Sequence, residues 1–314
     1  MRLFFATDVH GSERCFFKFV NAAKAYGVDA IVMGGDITGK LLVPVVDEGG
    51  GRFTANLFGQ VRIARTEEEA AELEKTIRQS GSYTVRLTRA EKDALDSRPE
   101  EVPDLFRRAI VETLGRWLDM ARERLEPAGI PIYVSAGNDD ELYVDDVLSS
   151  STYVRCPEGT VAELPGGYEM ISCGWANRTP FDSARELDED TLESRIESTA
   201  GRVRDPRLAV FNLHCPPKST SLDAAPLLDE TLRPVVRGGS VVMAAAGAEA
   251  TRRVIERHQP LLGLHGHIHE SRGAQKLGTT LCLNPGSEYS EGVLRGVLVE
   301  LEKDKIKGWQ FTSG

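Results

Sequence analysis

The chain has 314 residues, 41% hydrophobic and 27% charged, with a formal net charge of −10. That length and composition fit one large α/β domain, or one domain carrying an inserted piece. The acidic balance, with no Lys/Arg cluster long enough to follow a phosphate backbone, argues against nucleic acid as a partner, and no apolar run approaches the ~18 residues of a membrane span.

The amino terminus reads MRLFFATDVHGSE. Its apolar stretch is cut short by Asp8 and His10, which argues against a signal peptide, and the expected compartment is the cytoplasm. Arg2 to Thr7 is the first predicted strand, followed by an amphipathic helix from Arg14 to Tyr26. A second strand, Ala30 to Met33, runs into Gly34-Gly35-Asp36. The segment from about residue 40 to 102 breaks this rhythm, because a crossover between neighbouring strands needs far fewer residues. It is expected to be an insertion, acting as a cap or an oligomerisation element, within a single domain spanning 1–314. It holds a glycine-rich start at Gly49-Gly50-Gly51, a strand-like Leu57 to Ala64, a helix from Glu67 to Gln79 and a second strand from Tyr83 to Leu87. Thr88-x-x-Glu91 has the spacing of a capping box.

A helix from Pro103 to about Leu125 returns to the core strand Ile130 to Ala136, which ends in Gly137-Asn138-Asp139-Asp140. A smaller excursion, Asn177 to Asp205, carries a charged helix after Gly174-Trp175. Leu208 to Leu213 then delivers His214. After a helix from Ala248 to His258, Leu261 to Leu264 delivers His265-Gly266-His267-Ile268-His269. Five strands that end in Asp, Asn and His converge on one polar site if they lie parallel, since ligands bind beyond the carboxyl ends of such strands. Five scattered cysteines without a C-x-x-C pair argue against both a disulfide framework and a thiolate zinc site.

Asp8 and His10 are two residues apart, so strand alternation is expected to place both on one side. Two glycines before Asp36 permit the close approach that lets one carboxylate sit between two cations. Asn138 offers a carbonyl oxygen, and His214, His267 and His269 offer imidazoles. An oxygen and imidazole set without thiolate suits Mn, Fe, Zn or Co. His265 shares the parity of His267 and His269, which leaves a shifted ligand choice open.

The ordered motifs D-x-H, G-D, G-N, H and G-H-x-H resemble those of the calcineurin-like metallophosphoesterases, over nearly all of the chain outside the insertion. The resemblance implies a four-layer α/β/β/α sandwich, completed by Tyr168 to Cys173, Thr279 to Leu283 and Val293 to Glu300. It implies that Asp8, His10 and His269 hold one metal, that Asn138, His214 and His267 hold another, and that Asp36 bridges them. The ions expected are two divalent or trivalent metals, with Mn, Fe or Zn foremost. A hydroxide bridging them would attack phosphorus in line. Many relatives carry a histidine after the Gly-Asn pair, whereas Asp139 stands there, followed by Asp140. These two are the acid/base candidates. Some branches with another residue there are phosphodiesterases or favour activated esters, so a phosphodiesterase is expected, acting on a small phosphate ester. Asn177, Arg178 and Lys218 are the candidate substrate contacts, and Asn284 and Ser287 of N-P-G-S candidate supports. A homodimer through the insertion is one assembly the sequence leaves open, beside a cap over the site. The alternatives are a non-catalytic metal-binding scaffold of the same fold and a DNA-repair-type nuclease.

Overall fold

Along the strand Arg2–Ala6, Leu3 and Phe5 enter one core while Phe4 and Ala6 enter another, as the two-residue period of a strand requires. This strand is therefore buried on both faces. The computed structural model describes residues 1–314, and two principal sheets share its inner core.

The first sheet has the order Lys305–Ser313, Arg295–Glu302, Arg2–Ala6, Ala30–Met33, Ile132–Val134. Its last three strands are parallel to one another, and Arg295–Glu302 runs antiparallel both to Arg2–Ala6 and to Lys305–Ser313. The second sheet has the order Gly273–Leu277, Thr280–Asn284, Leu262–Leu264, Ala209–Leu213, Tyr168–Cys173, Val161–Leu164. Its four inner strands are parallel and its two edge strands antiparallel.

Phe5, Val32 and Tyr133 of the first sheet meet Met170, Val210, Leu264 and Leu283 of the second in the shared core. The far face of the first sheet packs on the helices Glu13–Tyr26 and Val102–Leu125, where Phe16 stacks on Trp117 with ring centroids 4.3 Å apart. Against the far face of the second sheet lie the helices Glu189–Ala200 and Glu249–His258, through Leu192, Ile196, Val254 and Ile255. The result is an α/β/β/α sandwich of two mixed sheets flanked by helices. No helix is long and apolar enough to cross a membrane.

Residues 41 to 101 build a sheet of their own, ordered Gln60–Ala64, Phe53–Leu57, Leu41–Asp47, Ser82–Thr88, with a small core around Val45, Phe53, Ala70 and Ile77. One expectation changes here, and one strand lies beyond those expected. The stretch Leu57 to Ala64 is not one strand, because Phe58 and Gly59 both take left-handed conformations (φ 51° and 77°) and turn it into a hairpin. The strand Leu41–Asp47 was hidden by Pro44, which lies where only Ser82–Thr88 pairs with it, since pairing with Phe53–Leu57 begins at Val45. Thr88 and Glu91 form the expected capping box.

The insert is seated on the first sheet through three glycines. A Cβ on Gly39 would overlap the carbonyl of Gly81, one on Gly11 would overlap Gly39, and one on Gly81 would overlap the carbonyl of His10. Ser12 Oγ also donates to the carbonyl of Gln79, and Gly39 N donates to Tyr83 Oη at 3.0 Å. Gly81 has φ +91°, so Gly81→Ala combines backbone strain with that overlap. This substitution is expected to cost at least about 2 kcal/mol in urea unfolding, whereas Gly59→Ala, at a position with open space around it, is expected to cost about 1 kcal/mol, from its positive φ alone.

Candidate metal centre

Seven parallel strands from the two sheets end at one edge, and the loops after them carry the polar residues. Asn212 ties the sheets together there, donating to Ser135 Oγ at 3.2 Å and Ser172 Oγ at 3.0 Å. His214 Nδ1 lies 3.2 Å from the carbonyl of Gly34, across the same seam. Gly35 and Gly137 leave the space: a Cβ on the first would strike the His214 ring, and one on the second the Asp36 carboxylate.

Alternation does not bring Asp8 and His10 together. The strand ends at Ala6, and both residues adopt left-handed conformations, φ 55° and 39°, in the loop beyond it. Asp36 and His267 are left-handed as well, with φ 49° and 65°. Such a conformation costs a non-glycine residue about 1–2 kcal/mol. Hydrogen bonds hold the loops in it: Asp8 N donates to the carbonyl of Gly35, His10 N to that of Asp36, and His267 N to the Asp8 carboxylate. The parity that linked His265 to its neighbours also fails at His267. His265 is buried beneath the site, with Nδ1 2.8 Å from the carbonyl of Leu213.

The remaining side chains meet. Asp8, His10 and His269 form one group that can hold a metal ion, and Asp36, His214 and His267 form a second. Within the first, His10 Nε2 is 3.1 Å from His269 Nε2, and His269 Nε2 is 3.2 Å from Asp8 Oδ1. Asp36 Oδ2 lies between the groups, 3.7 Å from His10 Nε2 and 3.3 Å from His214 Nε2. Asn138 Oδ1 joins the second group, 2.6 Å from His267 Nδ1. A third group, His10, Asp36 and Asp139, overlaps both.

Charge in this pocket is unbalanced. Asp8 and Asp36 are 1% and 2% exposed, and their ion-pair partners are histidines alone. Burial disfavours charge on His214, but Asp36 and Asp8 outweigh it and push its pKa up to about 10. Burial likewise opposes the charge on Asp8, yet His214 and His269 bring its pKa down to about 2. Burial, with His214 beside it, drives the pKa of His267 down to about 4.

Of the acid/base candidates, Asp139 faces the cluster: its N donates to Asp36 Oδ1 at 3.0 Å and its Oδ1 accepts from Ser183 Oγ at 2.7 Å. Asp140 is fully buried and faces away. Its carboxylate accepts from the backbone of Ile37, Thr38 and Gly137 and from Thr38 Oγ1; burial, with the charge of Asp36, raises its pKa to about 6. Of the substrate candidates, Lys218 is paired with Glu249 at 3.3 Å, Arg178 is exposed, and Asn177 Oδ1 accepts from Cys215 Sγ. None of these three contacts the histidine and carboxylate cluster.

Both residues of N-P-G-S support the loops. Asn284 Nδ2 reaches the carbonyls of Gly266 and Ile268, and Ser287 Oγ donates to the carbonyl of Asp8. Sequence reasoning missed Arg185, whose buried guanidinium grips the carbonyls of Asp140 and Glu141 and the Asp145 carboxylate. It also missed Tyr289, 4.6 Å from His10 ring to ring, and Lys40, ion-paired with Asp139. Thr7 was a readable signal, because a hydroxyl beside a metal-type Asp can orient it, and Thr7 Oγ1 donates to Asp8 Oδ2 at 2.7 Å.

No family model matches the chain. It is 26% identical over 118 residues to the uncharacterized protein MJ1162 of Methanocaldococcus jannaschii, a match spanning 37% of this chain and 47% of that relative. The fold is similar to that of TT1561 of Thermus thermophilus, with a TM-score of 0.52 and 14% identity across 100% of this chain and 97% of the other. A further crystal structure aligns at a TM-score of 0.57 and 18% identity over 98% of each chain. These likenesses establish a shared fold.

Asn284→Ala strands the two loop carbonyls in a buried setting, where each unmet hydrogen bond costs about 1–3 kcal/mol. Urea denaturation is expected to register a loss of about 2–4 kcal/mol.

Proposed function

We propose that this chain is a dinuclear metal-dependent phosphoesterase that prefers phosphodiesters. The observation that carries the reading is the pair of buried carboxylates, Asp8 and Asp36, which no lysine or arginine neutralises. Buried charge of one sign is expensive unless cations compensate it. The donor set fits metal: ligand nitrogens about 2 Å from one ion lie about 3 Å from each other, and His10 Nε2 and His269 Nε2 are 3.1 Å apart.

Asp8, His10 and His269 would hold one ion and Asn138, His214 and His267 the other, with Asp36 between them. Two such ions supply an acidified water and positive charge for phosphoryl oxygens. The chain's own residues do the rest. Thr7 and the His267 amide fix the Asp8 carboxylate, Arg185 and Asp140 fix the loop bearing Asn138, and Gly34 orients His214 through its carbonyl. The leaning to diesters rests on Asp139 occupying the place where the resemblance puts a histidine: a carboxylate beside metals is a weak proton donor, which favours esters with good leaving groups.

Protein purified without chelator and loaded with Mn²⁺ is expected to hold two equivalents by elemental analysis and to hydrolyse bis-p-nitrophenyl phosphate faster than p-nitrophenyl phosphate. Asp36→Ala is expected to lose turnover and weaken both metals, whereas Asp139→Ala keeps the metals and loses roughly 10- to 100-fold in kcat/KM. Full metal loading without turnover of either ester would remove the catalytic reading.

A further inference from the structure

A carboxylate at position 139 sets a problem for any anionic substrate. One of its oxygens lies within 4.8 Å of a ring nitrogen of His10 and a carboxylate oxygen of Asp36, so it faces the place where phosphoryl oxygens must come and would repel them. Its position is fixed by Asp36 and Ser183. Lys40 answers the problem. Its ammonium pairs with Asp139 Oδ2, and the side chains are 63% and 14% exposed, so the cation sits at the mouth and the carboxylate beneath it.

We propose that Lys40 is the residue that binds a phosphoryl oxygen of the substrate, with Asp139 as its positioning residue. This rests on the phosphoesterase reading and deepens it by naming the group that recognises the anion. Of the other cations near these loops, Arg178 is exposed but does not touch the cluster, and three more are committed elsewhere. Arg185 is fully buried with three acceptors, Lys218 pairs with Glu249, and Arg14 reaches Gln79. Lys40 alone both joins the cluster and opens to solvent. Its ammonium has three donors, so it can keep one on Asp139 while turning another to a substrate oxygen.

The insert determines where that cation stands. Gly39, immediately before it, is held by Tyr83 Oη and by contact with Gly81. Tyr289 packs against Gly81 on one side and the His10 ring on the other, walling the same mouth. The segment whose sequence breaks the strand and helix rhythm therefore begins by presenting a substrate-binding charge.

Binding of inorganic phosphate to Mn²⁺-loaded protein, measured by calorimetry, tests this without relying on turnover. Lys40→Ala is expected to weaken phosphate about tenfold or more, and Lys40→Arg to stay within about threefold of the parent. All variants should hold two equivalents of Mn²⁺ with unchanged circular dichroism. Adding Asp139→Asn to Lys40→Ala should restore part of the loss, because the uncovered carboxylate is then neutral. A lysine lost merely from the surface would give no such recovery. On the diester, KM should rise more than kcat falls. Lys75→Ala, on the exposed helix Glu67–Gln79, is the charge control and should change neither number. Full metal loading with parental phosphate affinity in Lys40→Ala overturns the proposal while leaving the phosphoesterase reading intact. A parent protein that holds metal but binds no phosphate overturns the proposal alone, and one that takes up no metal overturns both.

Discussion

Uncompensated negative charge at the seam of two sheets is the constraint on which the rest of this molecule depends. Asp8 and Asp36 are removed from water and surrounded by imidazoles rather than ammonium or guanidinium groups. A protein interior tolerates such an arrangement only if cationic charge enters it. Metal ions would supply that charge, with the imidazoles binding them in the neutral form. The surrounding architecture keeps these charges from drifting apart: Asn212 bridges the sheets, Arg185 clamps the Asn138 loop, and Asn284 clamps the His267 loop.

The same constraint explains where strain is kept. Four residues of the cluster, Asp8, His10, Asp36 and His267, sit at positive φ. Together they store several kcal/mol at about 1–2 kcal/mol each. Left-handed turns at the strand ends bend the side chains inward over the seam, which a strand running straight on would not do. The strain persists because the backbone groups of these loops are hydrogen-bonded to one another and to the carboxylates they present.

Much of this was legible in the sequence. The α/β class followed from short apolar runs alternating with amphipathic helices, the four layers came only with the motif resemblance, and the cluster followed from Asp, Asn and His placed after apolar runs. The reason given for Asp8 and His10, however, was a strand period that the backbone abandons after Ala6. Dihedral angles at a strand end are set by tertiary packing, here by the carbonyls of Gly35 and Asp36, and leave no periodic trace. Pro44 masked a strand because tolerance of a missing N–H depends on which neighbours pair, which is a property of the sheet. Arg185 and Lys40 were invisible for a related reason. A charged residue in a loop reads as surface, and only the fold reveals that one is enclosed and the other leans over Asp139.

His10 and His269 touch although they stand 259 positions apart in sequence. Closing a loop of that span is entropically costly and contributes nothing until both ends are in place. The centre therefore forms only once the loops of the second sheet have met those of the first. Any ion that binds there selects the finished chain over every partly folded one, so its affinity adds directly to the depth of the native basin. In this protein the histidine and carboxylate cluster would double as the final latch of assembly.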